Sequence, residues 1–267
     1  MRWQEDLLER GWNALYIENH DQPRSIDTFG DGSIESAKAL AVSYMLLRGT
    51  PFIYQGQEFG MTNFPFTDAK QLRADEIKKK YEMLMTELSA KLSVPQSADS
   101  TSSVGRVELT ELSANQALAE VTQNSREHSR TPMQWDNSKN AGFTSGQAWM
   151  EMNPNFSVIN SQTNQELIEL YKKLIELRHQ EPAISEGSIK FHFKRHPQVL
   201  VYERAEFLII VNLADKKAHL DFTKLDSFTD SSAENSVINY QQVLGSTNQK
   251  FQEKMVLSAW EYRVYKK

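Results

Sequence analysis

The chain's architecture can be read outward from residues 12–24, which run Trp12-Asn13-Ala14-Leu15-Tyr16-Ile17-Glu18-Asn19-His20-Asp21-Gln22-Pro23-Arg24. The mixed apolar run 12–17 predicts a short strand. The heptapeptide that follows it supplies a histidine, a carboxylate and an arginine directly after the strand end. These residue types in this position favour a polar pocket at one edge of a sheet.

A helix and a second strand follow this loop. Residues 33–48 carry apolar side chains at three- and four-residue spacing, which predicts a helix that stops at Gly49. The apolar run 52–54 predicts the second strand. Strand, helix and strand in this order form a parallel βαβ unit, and such units place sites at the carboxyl ends of their strands. His20, Asp21 and Arg24 lie at that end.

The rest of the chain predicts more helices and then an antiparallel β domain. Thr163 and Glu166 have the spacing of a capping box at the start of an amphipathic helix. Further helices and a loop are expected in an insertion at about 64–124, and strands are expected after Gly187. The predicted elements are helices at 66–91, 108–121 and 164–181, a flexible loop at 93–105, and strands at 189–193, 198–204, 206–213, 217–222 and 254–266.

Composition limits the class of protein. The chain has 267 residues, and its 30 basic and 35 acidic residues give a net charge of −5, which argues against a nucleic-acid partner. It has no cysteine, which excludes disulfides. The first ten residues lack the apolar core of a signal peptide, and no apolar run is long enough for a membrane span. We therefore expect a cytoplasmic protein without a membrane partner.

Four stretches together resemble the α-glucosidases of glycoside hydrolase family 13, within the group of oligo-1,6-glucosidase, dextran glucosidase and trehalose-6-phosphate hydrolase. The similarity is strong from residue 1 to about 187 and weaker beyond. The four stretches are Glu18–Arg24; Gly49–Gly56 with Gly60–Asn63; Ser125-Arg126 with Ser129–Asp136; and Asn140–Thr144.

The resemblance implies an α/β plus all-β protein: the last part of a TIM (β/α)₈ barrel followed by a small antiparallel β-sandwich domain. The strands at 12–17 and 52–55 would be barrel strands seven and eight, flanked by the last barrel helices. We expect a partial barrel at 1–186, with the insertion at about 64–124, and a C-terminal β domain at 187–267.

The resemblance also implies roles for individual residues. Asp21 matches a carboxylate that stabilises the transition state, and His20, Arg24 and Arg130 match substrate-binding residues. The catalytic nucleophile and general acid of the family lie upstream of the His-Asp loop and are absent from this chain. No metal or cofactor is expected here, because the family's calcium site also belongs to that upstream part.

The function that follows is retaining, exo-acting hydrolysis of α-1,6-linked gluco-oligosaccharides or a related α-glucoside. We expect the chain to be a C-terminal fragment, inactive alone, with a complementing N-terminal barrel segment as a possible partner. Three alternatives stay open: a non-catalytic carbohydrate-binding or interaction module, a fragment of a trehalose-6-phosphate hydrolase, and a gene remnant that barely folds.

Several residues invite competing interpretations. Gln57 replaces a glutamate common in the family, which puts the support of its loop in doubt. Trp135 and Trp149 are interpreted as packing residues rather than sugar platforms. His192 and His196 are interpreted as a solvated strand face rather than a metal site, since no carboxylate completes a ligand set.

Overall fold

A computed structural model describes residues 2–7, 10–92, 103–225 and 239–267. These residues form two compact units, residues 1–17, 25–60 and 163–267 (unit 1) and residues 18–24 and 61–162 (unit 2). The helices and strands are α1 Arg2–Asp6, β1 Ala14–Leu15, α2 Ser25–Thr28, α3 Ile34–Met45, β2 Thr50–Pro51, α4 Asp75–Leu92, α5 Ser103–Thr122, α6 Gln165–Gln180, α7 Pro182–Ser185, β3 Ile189–His192, β4 Val199–Arg204, β5 Phe207–Asn212, β6 Ala218–Asp221, β7 Gln241–Gly245, β8 Lys254–Leu257 and β9 Tyr262–Lys266.

The predicted parallel βαβ unit is confirmed. Helix α3 lies between β1 and β2 in the sequence, and the two strands pair in parallel. Both strands are shorter than predicted, and the second ends at Pro51 rather than spanning residues 52–54. The last hydrogen bond between the two strands runs from the Phe52 N–H to the Leu15 carbonyl at 2.7 Å, one residue beyond Pro51. Phe52 leaves the sheet and is exposed.

Gly49 makes the close approach of these two strands possible. Its φ of +136° is outside the range of ordinary side chains, and a Cβ there would lie 2.3 Å from the Asn13 carbonyl oxygen. Thr50 can therefore donate its N–H to the same carbonyl at 2.8 Å. The predicted helix stop is thus also the residue that brings β2 against β1.

Polar side chains fix the start of α3. Ser33 is the N-cap and accepts the Ser36 N–H at 3.1 Å. Asp31 accepts the Ser33 N–H at 3.0 Å and the Trp260 indole N–H at 2.7 Å. The aspartate therefore joins the helix start to the turn before β9.

We expect Asp31→Asn to make unit 1 less acid-sensitive. Burial acts to raise the pKa of Asp31, but hydrogen bonds from Ser33, Trp260 and Ser36 outweigh it and lower the pKa from 3.8 to about 2. A depressed carboxyl pKa stabilises the fold above pH 4, and this contribution is lost as the pH falls through 2. Because Asp31 is largely exposed, the contribution is about 1 kcal/mol.

Thermal unfolding between pH 4 and pH 2 measures this effect. Wild type should lose its advantage over Asp31→Asn across that window, whereas Asp215→Asn, a change in an exposed turn, should follow wild type throughout. A gap between wild type and Asp31→Asn that stays constant from pH 4 to pH 2 would contradict the assignment.

The described residues of the β domain form one five-stranded antiparallel sheet, ordered β3-β4-β5-β9-β7, and one two-stranded sheet of β6 and β8. Every residue of β5 is buried, because helices cover one face and β6 and β8 the other. Phe207, Ile209 and Val211 pack in the cluster that includes α3 and α6, while Leu208 and Ile210 pack in the second cluster.

Two strand predictions in this domain need correction. The predicted strand at 254–266 is two strands, β8 and β9, separated by a turn at which Trp260 has a φ of +54°. Strand β7 was not predicted at all. Its sequence, Gln-Gln-Val-Leu-Gly, lacks the apolar alternation that marked the other strands, and it pairs at the sheet edge with β9.

The predicted capping box of α6 is wrong. The N-cap is Asn164, which makes no side-chain cap and instead donates its side-chain amide to the Phe59 carbonyl at 2.8 Å. The Glu166 carboxylate pairs with Lys38 of α3 at 2.6 Å rather than turning back to the helix start. Contacts to residues more than a hundred positions away therefore replace the local cap.

His192 is buried, so the prediction that it belongs to a solvated strand face is also wrong. Its Nε2 lies 3.2 Å from Glu203 Oε2 on the neighbouring strand β4. Burial acts to raise the pKa of Glu203, but His192 and Lys267 outweigh it and hold the pKa below its usual value. The imidazole thus packs beside a carboxylate of the neighbouring strand instead of facing solvent.

The predicted insertion contains two helices that pack against each other in unit 2. Leu72, just before α4, forms a buried cluster with Leu118 and Val121 of α5. Of the predicted loop 93–105, residues 93–102 lie outside the described part of the chain, and 103–105 belong to α5. No helix among the described residues is long and apolar enough to cross a membrane.

Candidate functional site

Asp21 is the centre of a charged cluster in unit 2. Its Oδ1 lies 2.9 Å from Arg130 Nη2 and 3.9 Å from Arg126 Nη1, and its Oδ2 lies 3.2 Å from His20 Nε2. Arg130 also donates from Nε to the His20 backbone carbonyl at 2.8 Å. The fold therefore brings together three of the four predicted site residues, although 109 positions separate Asp21 from Arg130.

The cluster is accessible to a ligand. The side chains of His20 and Asp21 are 66% and 56% exposed, and that of Arg130 is 30% exposed. The loop itself is held by an Asx turn in which Asn19 accepts the Asp21 N–H at 2.8 Å. The arrangement presents one carboxylate, two guanidinium groups and an imidazole, which can accept from and donate to the hydroxyl groups of a polar ligand.

Arg24 does not join this surface. Its side chain is fully buried, and its Nη1 lies 2.6 Å from Glu18 Oε1, which is equally buried. Its Nη2 donates to the Ser129 carbonyl at 3.4 Å, and its backbone N–H donates to Asn63 at 2.8 Å. The structure thus places the predicted substrate-binding arginine where it holds the loop to the segment before Arg130, with its side chain withdrawn from the surface.

Sequence reasoning overlooked Glu18 as the partner of Arg24. The two residues lie six positions apart in the same heptapeptide, so their opposite charges were visible in the sequence. What the sequence did not show was burial, since nothing in the local pattern separates an exposed from a buried carboxylate.

The segment Arg126–Arg130 forms a 3₁₀ helix that ties the α4–α5 pair to the cluster. Glu127 is buried and accepts the backbone N–H groups of Arg73, at 2.6 Å, and of Ala74, at the start of α4. Helix N-termini favour such a negative charge. His128 Nε2 lies 2.8 Å from the Thr122 carbonyl at the end of α5. Both ends of the helical pair are therefore fixed to the segment that carries Arg130.

Arg126 is a further site residue that sequence reasoning did not assign. Besides its distance of 3.9 Å to Asp21, it pairs with Glu76 of α4. Its position within the quoted motif, four residues before Arg130, was the available signal. Among the described residues, no group of three or more histidine, aspartate and glutamate side chains could hold a metal ion.

Two other sequence interpretations change. Gln57, in unit 1, is buried, accepts the Tyr54 N–H at 3.1 Å and donates to the Tyr44 hydroxyl at 3.2 Å. The neutral amide therefore supports its loop without a buried charge. Trp135 and Trp149 are exposed, so the interpretation of both as packing residues is wrong.

Comparison with known proteins gives a consistent result. The family described as "Alpha amylase, catalytic domain" matches residues 1–187. The oligo-1,6-glucosidase of Parageobacillus thermoglucosidasius is 33% identical over 276 residues, covering 99% of this chain and 44% of that protein. The probable oligo-1,6-glucosidase 2 of Bacillus subtilis is 34% identical over 275 residues, with the same shares.

Solved structures agree with the sequence relatives. The trehalose-6-phosphate hydrolase of Bacillus licheniformis is 27% identical with a TM-score of 0.77, covering 99% of this chain and 45% of that one. The trehalulose synthase of Pseudomonas mesoacidophila MX-45 is 29% identical with a TM-score of 0.76, covering 98% and 44%. This chain spans less than half the length of these proteins. The matched residues include every part of the Asp21 cluster, and the chain belongs to the alpha-amylase family, glycoside hydrolase family 13.

Proposed function

We propose that this chain forms one wall of an α-glucoside pocket that serves retaining, exo-acting hydrolysis of α-1,6-linked gluco-oligosaccharides. Asp21, His20 and Arg130 would bind the terminal glucose. The observation that carries the proposal is the accessible cluster in which Arg130 contacts both the Asp21 carboxylate and the His20 carbonyl. The oligo-1,6-glucosidase relatives support the choice of linkage.

The chemistry of the reaction gives Asp21 its role. Glycoside hydrolysis passes through a transition state with positive charge on the sugar, and a fixed carboxylate beside that charge stabilises it. Arg130 and His20 restrain the carboxylate and can donate to the sugar hydroxyls. Arg24, which is buried against Glu18, acts as a positioning residue and has no contact with the sugar.

Bond making requires two further carboxylates about 5–5.5 Å apart in a retaining enzyme. We propose that a complementing N-terminal barrel segment supplies them, and that these 267 residues are inactive alone. In this proposal β1 and β2 are barrel strands seven and eight in a partial barrel at 1–186. Residues 187–267 form the β-sandwich domain, and the family match ending at residue 187 supports this boundary.

We expect Asp21→Asn to weaken glucose and isomaltose binding at least about tenfold, because charge-assisted hydrogen bonds contribute roughly 1.5–3 kcal/mol. Calorimetric titration of the 267-residue chain measures this. Asp75→Asn, an exposed aspartate of the same unit, is the matched control and should bind like wild type. Equal affinities for wild type and Asp21→Asn would remove Asp21 from the site.

Hydrolysis of p-nitrophenyl α-glucoside tests the second part of the proposal. The chain alone should show none, and activity should appear when the N-terminal barrel segment of an oligo-1,6-glucosidase is added. Hydrolysis by the chain alone, abolished by Asp21→Asn, would contradict the claim of inactivity. Binding without hydrolysis in the mixture would instead favour a non-catalytic carbohydrate-binding module.

A phosphorylated disaccharide is the second candidate substrate. Arg126 and Arg130 lie at the cluster beside the Asp21 and Glu76 carboxylates, and their guanidinium groups can donate to the oxygens of a phosphate substituent. The similarity to a trehalose-6-phosphate hydrolase supports the same candidate. Parallel titrations with isomaltose and trehalose 6-phosphate discriminate between the two candidate substrates.

A cytoplasmic location stays a prediction from the sequence.

A further inference from the structure

Unit 1 contains a groove of about 630 Å³ between helices α3 and α6 and the edge of the β domain. This volume lies within the range of about 300–1,000 Å³ that is usual for small-molecule sites. Its floor includes the buried residues Leu170, Trp260 and Tyr262, and its rim includes exposed polar side chains. None of these residues belongs to the Asp21 cluster or to unit 2.

The charges of the groove are largely compensated. Lys38 pairs with Glu166 at 2.6 Å, and Glu261 accepts from Arg263 Nε at 2.7 Å. Glu169 pairs with Lys172, also at 2.6 Å. The groove therefore offers little net attraction to an anion or a cation, which disfavours phosphate esters and polyamines as its ligands.

What remains on the rim is a mixture of hydrogen-bond donors and acceptors. Exposed Glu35 supplies an acceptor, exposed Lys173 a donor, and the Ser258 hydroxyl can do both. A ligand that fits must itself carry several groups that donate and accept at short spacing. An apolar ligand would leave these polar groups without partners.

Trp260 gives an independent indication of a site on the groove floor. Its φ of +54° is an outlier for a bulky residue, and such strain clusters at ligand sites. The conformation is held by the indole N–H, which donates to Asp31 at 2.7 Å, and by the backbone N–H, which donates to the Ala214 carbonyl at 3.1 Å. The strained residue thus lies fixed beneath the polar rim.

We propose that this groove is a second carbohydrate-binding site, one that takes a neutral mono- or disaccharide. Closely spaced hydroxyl groups that both donate and accept match the rim, and the absence of charge on a neutral sugar matches the compensated ion pairs. An aromatic floor beneath polar side chains provides apolar contact to the sugar's C–H groups.

Nuclear magnetic resonance titration of the ¹⁵N-labelled chain with isomaltose tests the proposal, with the Trp260 indole N–H as reporter. Isomaltose should shift this resonance saturably, and Asp21→Asn should leave the shift and its affinity unchanged. Ala259→Trp, which fills the groove from its rim, should weaken binding at least about tenfold. Gln252→Trp, an exposed position outside the groove, is the matched control and should bind like wild type.

Lys173→Ala removes one rim donor without adding bulk, and it should weaken binding several-fold even if Ala259→Trp fails to fold. An absence of any saturable shift in wild type would overturn the proposal, as would unchanged affinity in both Ala259→Trp and Lys173→Ala. A stronger response to spermidine than to isomaltose would overturn the ligand class. If sugar binding failed only at the Asp21 cluster, the proposed function would fail, but the Trp260 resonance would still report binding in the groove.

Discussion

Arg24→Met is expected to lower the free energy of unfolding of unit 2 by about 3–5 kcal/mol, the usual cost of removing one partner from a buried ion pair. The Arg24 and Glu18 side chains are both withdrawn from solvent and lie 2.6 Å apart. Methionine would occupy similar space but leave the Glu18 carboxylate buried without its guanidinium. It would also remove the hydrogen bond to the Ser129 carbonyl, next to Arg130.

Urea denaturation, monitored by hydrogen exchange in peptides from unit 2, measures this loss of unfolding free energy. Lys78→Met is the matched control, because Lys78 and Asp75 form an exposed pair in the same unit at 3.9 Å, and its cost should be below about 1 kcal/mol. The double variant Glu18→Gln with Arg24→Met should be more stable than Arg24→Met alone. A cost for Arg24→Met no larger than that for Lys78→Met would show that the buried pair does not hold the loop.

Arg178→Leu is the second large effect, with an expected loss of about 3–4 kcal/mol in unit 1. Arg178 of α6 donates from Nη1 to the Met45 and Leu47 carbonyls, both at 2.8 Å, and from Nη2 to the Gly49 carbonyl. The Met45 carbonyl belongs to the last residue of α3 and the other two follow it, at a helix end that leaves acceptors unsatisfied and favours a cation. Burial lowers the pKa of Arg178 from its usual value.

Thermal unfolding monitored by circular dichroism gives the melting temperatures of wild type and of the Arg178 and Lys172 variants. Arg178→Lys should recover part of the stability, since an ammonium group can reach some but not all of three carbonyls that a guanidinium spans. Lys172→Leu, an exposed position on the same helix, should change stability by less than about 0.5 kcal/mol. Equal melting temperatures for Arg178→Leu and Lys172→Leu would contradict the assigned role.

Elements with a regular apolar pattern were predictable from the sequence. Helices α3 and α6 and strands β3 to β6 lie close to their predicted positions because burial on one or two faces imposes a period that can be read locally. Strand β7 has no such pattern, and the approach of β2 to β1 depends on the backbone geometry of Gly49. The first and last residues of these three strands depend on which backbone N–H and C=O groups form hydrogen bonds in the folded chain.

The order of residues was sufficient to predict the parallel βαβ unit, the polar loop at its strand end and the family. These follow from local periodicity and from motifs that are contiguous in the chain. The partners of individual charges were decided only by the tertiary structure. Asp21 meets Arg130 across 109 positions, Arg24 turns inward to Glu18, and His192 is buried beside Glu203. A charged side chain's exposure and partner depend on which distant segments pack around it, and no local pattern contains that information.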